Sequence, residues 1–385
     1  MSYSFTLADV EFLTGSDGIG TLADADRLEL SPGSLLRDLG RARQQFGDRS
    51  TAVVETVLLR RRSAGKIVGG SNWLYTDDGL QQATPSAVAR NRARRLAGRA
   101  VHDVTCSIGA ELAELVGAAT EVLGSDLDPV RLRMAAHNVP GAGLLRADAL
   151  HPSSRGTVVI ADPARRSGGR RTHDPAQLQP PLPDLLDAYR GRDLAVKCAP
   201  GLDFDKLEWP GEIEVVSLDG GVKEACLWSS GLSAGIGRRA SVLASDGTGW
   251  DITDAEPDDV PERAPGEWIV NPDGAVVRAG LVRHYGARHG LWQLDPRIAY
   301  LTGDRVPDGV RGFRILEQLK YTEKLVRQEL ARRDCGSLEI LVRGVDVDPA
   351  TLRPRLKLRG TRRLSLVITR IGRTAVAFVC DARTT

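Results

Sequence analysis

The chain has few cysteines and no long apolar run. Its five cysteines are scattered over 385 residues, and no two of them form a C-x-x-C pair. An odd, scattered set of this kind argues against a disulfide framework and against a zinc site. No stretch approaches the roughly 18 apolar residues of a membrane span, and the amino terminus lacks the basic and apolar regions of a secretory signal. We therefore expect free thiols, no metal, no membrane association and a cytoplasmic location.

The chain also has little net charge, because 52 Lys and Arg nearly balance 50 Asp and Glu and leave a formal charge of +2. The two signs are nevertheless segregated along the sequence. Residues 246–273 contain nine carboxylates and one arginine, whereas residues 305–373 contain seventeen Lys and Arg against eight Asp and Glu. The acidic, proline-containing stretch is typical of a linker. The basic stretch predicts a module that binds a polyanion.

The amino-terminal part of the chain has a helical pattern. Apolar residues recur at spacings of three and four in SLLRDLGRARQQFG and STAVVETVLLRRR, which open with Ser34 and Ser50 as predicted N-caps. Thr84 is predicted to cap the next helix, with Pro85 at its first position. We therefore divide the chain into an amino-terminal helical domain (1–83), a central domain (84–240), an acidic linker (241–274) and a basic carboxyl-terminal region (275–385).

Short apolar runs alternate with helical patterns in the central domain. This alternation predicts an α/β fold with a mostly parallel sheet. The last two runs are separated only by a DGGVK turn and predict a hairpin. The candidate strands are VHDV, VLGSD, LLRAD, TVVIADP, LAVKCAP, EIEVVSL and EACLW. In the basic region, AGLVRHYGARHG predicts a helix, and SLEILVR and RRLSLVITR predict strands.

Acidic residues follow four consecutive predicted strands. Asp103 opens a loop that runs to Gly109, Asp126 lies seventeen residues beyond that glycine, and Asp148 and Asp162 end the third and fourth strands. Ligands of open parallel sheets bind beyond the carboxyl ends of the strands, and an acid about twenty residues past the glycine loop binds ribose hydroxyls. The series therefore predicts a site for a nucleoside cofactor. The G-x-G-x-x-G motif of dinucleotide dehydrogenases is absent, which disfavours NAD.

These features, taken with LQQAT, ADPARR followed by GRR, VKCAPGLD, GGVKEACLW and GVDVDP, carry a family resemblance that covers most of the chain. The sequence resembles the Rossmann-like methyltransferases that depend on S-adenosyl-L-methionine (SAM), and specifically a group with a carboxyl-terminal THUMP-like domain. The resemblance implies a Rossmann-like methyltransferase sheet, an α+β THUMP-like domain, SAM as cofactor and a nucleic-acid partner.

The resemblance also assigns roles to single residues. It implies that Asp126, with Leu127 beside it, binds the ribose, and that Asp148, with Ala149 beside it, binds the adenine amino group. It implies that the methionine moiety lies against the loop formed by Asp103, Thr105, Ser107, Gly109 and Glu111. The family pattern in this loop is D-x-G-x-G-x-G. This chain departs from it, because Thr105 and Ser107 replace the first two glycines.

Asp162 and Pro163 lie where amino-methyltransferases carry D/N-P-P-Y/F/W, whose side-chain oxygen and proline carbonyl accept hydrogen bonds from the target amine. Here Ala164 and Arg165 replace the second proline and the aromatic residue. Cys198 in KCAP offers another chemistry, since methyltransferases that modify carbon 5 of uracil pair a D-P-P-R loop with a catalytic cysteine. A buried structural cysteine is the commoner case. We favour Asp162 and Pro163 as the catalytic residues.

Basic residues surround the predicted transfer loop. We assign them to substrate binding, because arginine pairs with phosphates and stacks on bases. The prediction is a methyltransferase that acts on a nucleic acid, RNA rather than DNA, and transfers the methyl group to a base. A small-molecule methyltransferase and a catalytically silent protein that binds SAM or RNA stay open as alternatives. The assigned side chains are Arg165, Arg166, Arg170, Arg171 and Lys197.

Overall fold

The computed structural model describes residues 3–163, 166–167, 170–171, 177–204 and 206–382. The chain divides into two compact units. The first consists of residues 1–218, 223–235 and 243–248, and the second consists of residues 219–222, 236–242 and 249–385. The boundaries predicted at residues 83, 240 and 274 stay predictions.

The first unit is built on five parallel strands that are continued by an antiparallel strand. Seven of its strands are adjacent in the order β3-β2-β1-β4-β7-β9-β8. β1 is parallel to β2 and β4, β2 to β3, and β4 to β7, whereas β9 is antiparallel to β7. The predicted α/β fold is confirmed. The strands are β1 Ala100–Asp103, β2 Glu121–Asp126, β3 Gly143–Arg146, β4 Val158–Ala161, β5 Arg166–Ser167, β6 Arg170–Arg171, β7 Leu194–Cys198, β8 Glu212–Leu218 and β9 Gly221–Trp228.

The helices that precede the sheet share its hydrophobic core. Val10, Val53 and Val57 belong to the same buried cluster as Leu112 and Ile160, so the amino-terminal helices and the sheet bury apolar surface together. The helices of this unit are α1 Leu7–Thr14, α2 Ser16–Asp26, α3 Leu35–Phe46, α4 Ser50–Ser63, α5 Asp77–Gln82, α6 Ser86–Arg95, α7 Ala110–Leu115, α8 Pro129–Asn138, α9 Leu182–Ala188 and α10 Ser230–Ser233.

The predicted N-caps of these helices are wrong in detail. Ser34 precedes α3, but its side chain makes no capping hydrogen bond and pairs with Ser31. Ser50 is the first residue of α4, which follows a 3-10 turn that leaves no extended residue to act as a cap. Pro85, not Thr84, precedes α6. The Thr84 hydroxyl instead accepts a hydrogen bond from Lys197, far away in sequence.

The second unit contains a mainly antiparallel sheet in the order β13-β14-β12-β15-β18-β17-β16, in which β16 and β17 are parallel. The predicted α+β region is confirmed. The acidic stretch includes β11 and β12, because it buries Ile252, Val260 and Ile269. The elements that follow β9 and α10 are β10 Arg238–Leu243, β11 Gly249–Thr253, β12 Trp268–Val270, α11 Gly274–Arg278, α12 Val282–His289, β13 Trp292–Gln293, β14 Leu301–Gly303, β15 Gly312–Lys320, α13 Glu323–Arg332, β16 Cys335–Val342, α14 Pro349–Leu356, β17 Arg362–Ile371 and β18 Thr374–Ala382.

The described residues contain neither a membrane-spanning helix nor a cluster of metal ligands. None of their helices is both long enough and apolar enough to span a bilayer. Nor do three or more of their His, Cys, Asp and Glu side chains cluster as metal ligands would. The cytoplasmic location stays a prediction from the sequence.

Candidate cofactor and transfer site

A cavity lies in the first unit where the strand order reverses. β2 follows β1 on one side, and β4 lies on the other, which is the arrangement at which open α/β sheets bind ligands. The cavity has a volume of about 480 Å³, within the range of small-molecule sites. Its described lining consists of Gly79, Gln82, Ala83, Thr84, Asp103, Val104, Thr105, Cys106, Ser107, Ile108, Ala110, Glu111, Asp126, Leu127, Arg131, Ala147, Asp148, Ala149, Leu150, Asp162, Gln179, Pro180, Pro181 and Lys197.

Thr105, which replaces the first family glycine, connects two loops of the cavity. Its hydroxyl donates to Asp103 Oδ1 at 3.2 Å and accepts from the backbone N–H of Asp162 at 2.7 Å. Its own backbone N–H donates to Asp103 Oδ1 at 3.0 Å. A glycine could make the backbone bond but has no hydroxyl to make the other two. The threonine therefore ties the loop after β1 to the loop after β4.

Ser107 and Gly109 give the loop after β1 its shape. Ser107, at the second family glycine, has φ +49°, the left-handed conformation that glycine adopts most easily. Its backbone N–H donates to Asp126 Oδ2 at 3.0 Å, a bond that helps to hold this conformation. Gly109 has φ +89°, and a Cβ there would lie 2.9 Å from Val139 Cγ2. The position of Gly109 thus requires glycine, whereas that of Ser107 tolerates serine.

The residues that follow β2 and β3 have the chemistry of a nucleoside site. Asp126 and Asp148 are half-buried and line the cavity with carboxylate oxygens that can accept from ribose hydroxyls and an adenine amino group. Leu127 is 59% exposed although it is a large apolar side chain, and it lines the same cavity. An apolar surface beside two acids fits an adenosine, whose base has apolar faces and a polar edge.

Asp162 and Lys197 form an ion pair in the wall of the cavity. Lys197 Nζ donates to Asp162 Oδ2 and to Thr84 Oγ1, at 2.5 Å in each case. The Lys197 side chain is 8% exposed and that of Asp162 is 35% exposed. Burial lowers the pKa of Lys197, but the charges of Asp162, Glu224 and Glu111 outweigh this effect and raise the pKa above its ordinary value. Lys197 therefore stays protonated and holds one Asp162 oxygen.

A buried charge network lies behind this pair. Arg92 of α6 donates from Nε to Glu111 Oε1 at 2.8 Å and from a terminal nitrogen to Glu224 Oε1 at 2.6 Å. All three side chains are at most 7% exposed. Burial would raise the pKa of Glu111, but the charges of Arg92 and Lys197 lower it below the ordinary value. Glu111 is thus an ionised acid held by Arg92 at the edge of the cavity.

The structure brings most of the predicted site residues together. Asp103, Thr105, Ser107, Glu111, Asp126, Leu127, Asp148, Ala149, Asp162 and Lys197 line the one cavity, whereas Gly109 and Pro163 are buried beside it. Arg165 lies outside the described residues. Arg166, Arg170 and Arg171 belong to the short β5–β6 pair, and their side chains lie outside the described structure.

Sequence reasoning missed the cavity residues that come from other segments. Gln82 and Thr84 belong to the LQQAT motif, which offered a signal without a role. Arg131 of α8 and the segment Gln179 to Pro181 also line the cavity. No spacing in the sequence distinguishes these residues from ordinary loop or helix positions.

The comparisons with known proteins agree with this geometry. Two uncharacterized SAM-dependent methyltransferases, from two strains of Mycobacterium tuberculosis, are 60% identical over 356 residues, which cover 88% of this chain and 99% of each relative. Residues 310–382 match the family model described as THUMP domain-like. A solved Porphyromonas gingivalis W83 protein, provisionally assigned as a methyltransferase, shares the fold with a TM-score of 0.74 at 19% identity. That match covers 99% of this chain and 100% of the solved one.

The first unit has the fold and cavity of a Rossmann-like, cofactor-dependent transferase. The chain belongs to the SAM-dependent methyltransferases and carries a THUMP-like domain at its carboxyl terminus. Its cofactor is SAM, which supplies a methyl group bound to a positively charged sulfur. The acids and the apolar Leu127 around the cavity fit the adenosine and the cationic groups of this cofactor.

Asp126→Ala is expected to weaken SAM binding more than tenfold, because loss of charge-assisted hydrogen bonds costs about 1.5 to 3 kcal/mol. Titration calorimetry measures the affinity. Asp128→Asn is the control, since Asp128 lies two residues away and is not among the described residues that line the cavity, and asparagine keeps the side-chain oxygen that caps α8 at the N–H groups of Val130 and Arg131. The control should keep the wild-type affinity within about twofold. Equal SAM affinities for Asp126→Ala and the wild type would show that Asp126 does not contribute to cofactor binding.

Asp103 is expected to make unfolding depend on pH. Burial raises its pKa from 3.8 to about 7, and the charge of Glu111 adds to the rise. Between these values the folded chain keeps a proton that the unfolded chain has released. The resulting stability is complete below about pH 4 and is lost as the pH rises through 7. The non-ionising variant Asp103→Asn should lack this loss, so its free energy of unfolding should rise relative to the wild type up to about pH 7.

Hydrogen exchange of β1 and β4 peptides in increasing urea at several pH values measures this free energy for the first unit. Glu114→Gln, which removes a carboxylate of α7 not among the described residues of the cavity lining, serves as control. A difference between Asp103→Asn and the wild type that stays constant with pH would show that Asp103 is already ionised in the folded chain.

Proposed function

We propose that this methyltransferase modifies RNA, and that the acceptor is an amino group of a base. In this proposal Asp103, Thr105, Ser107, Gly109 and Glu111 surround the methionine part of SAM. Asp126, Leu127, Asp148 and Ala149 hold its adenosine part. Asp162 and the Pro163 carbonyl bind the target amine.

The position of Asp162 is the observation that carries the proposal. It lines the same cavity as the proposed adenosine acids, and its backbone is bonded to the loop after β1 through Thr105. Lys197 occupies Oδ2, while Oδ1 has no hydrogen-bond partner among the described residues. A carboxylate held at one oxygen can accept from an amine at the other, and so align the nitrogen lone pair for transfer. Lys197 then orients Asp162 instead of contacting the substrate as the sequence suggested.

The surroundings of Cys198 favour this chemistry over attack on a ring carbon. Cys198 is 2% exposed. It is absent from the described lining of the cavity, although its neighbour Lys197 belongs to it. A catalytic thiolate must reach carbon 6 of the pyrimidine. Asp162 is already at the cavity wall.

The choice of RNA depends on the carboxyl-terminal region. It combines the excess of positive charge between residues 305 and 373 with the match to a THUMP domain-like model at residues 310–382. A basic surface attracts a polyanion through release of its counterions. The resemblance to THUMP domains, which bind RNA, selects RNA among the polyanions. Arg165, Arg166, Arg170 and Arg171 are proposed to contact the same substrate.

The main alternative is a small-molecule methyltransferase. A second alternative, a silent protein that binds SAM or RNA, is suggested by the replacement of two family glycines. The hydrogen bonds of Thr105 and the left-handed backbone of Ser107 argue against this second alternative, because they hold the loop after β1 without those glycines.

Mass spectrometry of nucleosides from total RNA, with and without the gene, tests the proposed function. We expect one methylated base to disappear in the deletion strain and to return with the wild-type gene but not with the Asp162→Ala gene. An unchanged nucleoside profile, together with SAM turnover in an RNA-free metabolite extract, would contradict the proposal and favour the small-molecule reading.

A further inference from the structure

A second cleft of about 400 Å³ lies in the THUMP-like part of the second unit. One wall is the α13 helix, and the other is the loop that follows α14. The ends of these elements meet at the start of β16. The described lining consists of Arg327, Gln328, Ala331, Asp334, Cys335, Leu356, Lys357, Leu358, Arg359 and Gly360.

Three exposed cations line this cleft: Arg327, Lys357 and Arg359. None of them forms a salt bridge with any described residue. Some of the other basic side chains of the same unit are paired within it. The paired sets are Arg311 with Glu339, Arg333 with Glu329, Arg355 with Glu323, and Arg362 with Asp381. The positive charge of the three cleft cations is therefore available to a ligand, whereas that of these four arginines is already neutralised.

The acid in the cleft does not pair with these cations. Asp334 Oδ2 accepts from the backbone N–H of Thr361 at 3.2 Å and from its hydroxyl at 2.6 Å. These hydrogen bonds lower the pKa of Asp334. Asp334 thus fastens the start of β17, and with three cations the cleft keeps an excess of positive charge.

The loop that carries Lys357 and Arg359 is held by close backbone contacts. Gly360 donates its N–H to Cys335 O at 3.0 Å, and Thr361 donates to Asp334 O at 2.9 Å. A Cβ on Gly360 would lie 2.0 Å from Asp334 O, so this approach requires glycine. A cation on a fastened loop loses less conformational entropy on binding than one on a free loop.

We propose that this cleft binds consecutive phosphates of an RNA backbone. The inference rests on the proposed function and gives the RNA a specific point of attachment in the second unit. The guanidinium groups of Arg327 and Arg359 can each bind two phosphate oxygens, and the flexible ammonium of Lys357 adds a third positive charge. A lipid surface would need exposed large apolar side chains beside the cations. The apolar side chains that line the cleft are buried, half-buried or as small as alanine.

The test compares two triple variants of the full-length protein. The cleft variant is Arg327→Gln, Lys357→Gln and Arg359→Gln. The control is Arg311→Gln, Arg355→Gln and Arg362→Gln, which removes the same charge from paired positions of the same unit. Fluorescence anisotropy with a labelled, unmodified tRNA transcript measures affinity from about 50 to 300 mM KCl. Calorimetry with SAM confirms that the first unit is intact in both variants.

We expect the cleft variant to bind the transcript at least tenfold more weakly at low salt. Each lost phosphate contact removes about 0.7 to 0.9 from the slope of log K against log salt, so three contacts remove about 2 to 3. The control should change this slope by less than about 1. Both variants should bind SAM as the wild type does.

An unchanged salt slope in the cleft variant, or equal losses of RNA affinity in both variants, would contradict phosphate binding in the cleft. Either result would leave the proposal of an RNA substrate in place. A wild-type protein that does not bind the transcript at all would instead overturn RNA recognition itself. Loss of binding to phosphatidylglycerol vesicles in the cleft variant, with tRNA binding kept, would assign the cleft to membranes and would also overturn the proposal.

Discussion

Asp162→Ala is expected to lower the single-turnover rate of methyl transfer at least a hundredfold while SAM affinity is largely kept. Loss of one transition-state hydrogen bond typically costs about 10²- to 10³-fold in rate. We expect this effect at Asp162 because Lys197 and the Thr105 hydroxyl hold it at the cavity wall, and its Oδ1 has no hydrogen-bond partner among the described residues. The assay uses radiolabelled SAM and total RNA from a strain that lacks the gene. Calorimetry reports the cofactor affinity separately.

Cys198→Ser is the matched control for this prediction. It changes one atom of a buried side chain on the strand next to that of Asp162, and it should keep most of the activity. A route through carbon 5 of a pyrimidine requires a thiolate that adds to carbon 6, and so passes through a covalent enzyme–RNA intermediate. An inactive Cys198→Ser that still binds SAM, or a denaturant-resistant adduct with 5-fluorouracil-substituted RNA, would move the target from an amine to a ring carbon.

Arg92→Met is expected to lower the free energy of unfolding of the first unit by about 3 to 5 kcal/mol, the cost of breaking a buried ion pair. The substitution leaves Glu111 and Glu224 ionised or protonated in a buried site without their shared partner. Hydrogen exchange of β1 and β4 peptides in increasing urea measures the change for this unit.

Arg90→Met is a closely matched control. Arg90 also belongs to α6 and also binds a glutamate of α7 through two nitrogens, but its side chain is 42% exposed. A partly exposed pair of this kind contributes about 0 to 1 kcal/mol. Adding Glu111→Gln and Glu224→Gln to Arg92→Met should recover part of the loss, because neutral amides cost less to bury than unpaired carboxylates. Similar losses in the free energy of unfolding for Arg90→Met and Arg92→Met would show that breaking the buried network costs no more than breaking a partly exposed ion pair.

Several features of the fold could be predicted because they depend on residues close together in sequence. Short apolar runs predicted seven strands of the first unit, since a strand covered on both faces needs apolar side chains on both. The helix starts were less predictable. Ser34 and Ser50 have the right residue type for a cap, yet neighbouring turns decide the backbone conformation that capping requires.

The cofactor site was predictable in part for the same reason. Asp126 is the last residue of β2 and Asp148 lies two residues beyond β3, so locating the strands also located the acids. Gln82 and Gln179 reach the cavity from a helix and a loop. Nothing in their immediate sequence predicts that they do so, because their position depends on how whole elements pack.

The sequence by itself determined that this chain has a parallel α/β sheet with acids at successive strand ends, a loop that resembles the SAM-binding loop of the family, and a basic α+β region. Local apolar periodicity, strand-end chemistry and family motifs are sufficient for those features. Only the tertiary structure decided that Lys197 contacts Asp162, 35 residues away, and Thr84, 113 residues away. The sheet order puts β7 beside β4, and this order leaves no local pattern in the sequence because it depends on which elements bury one another.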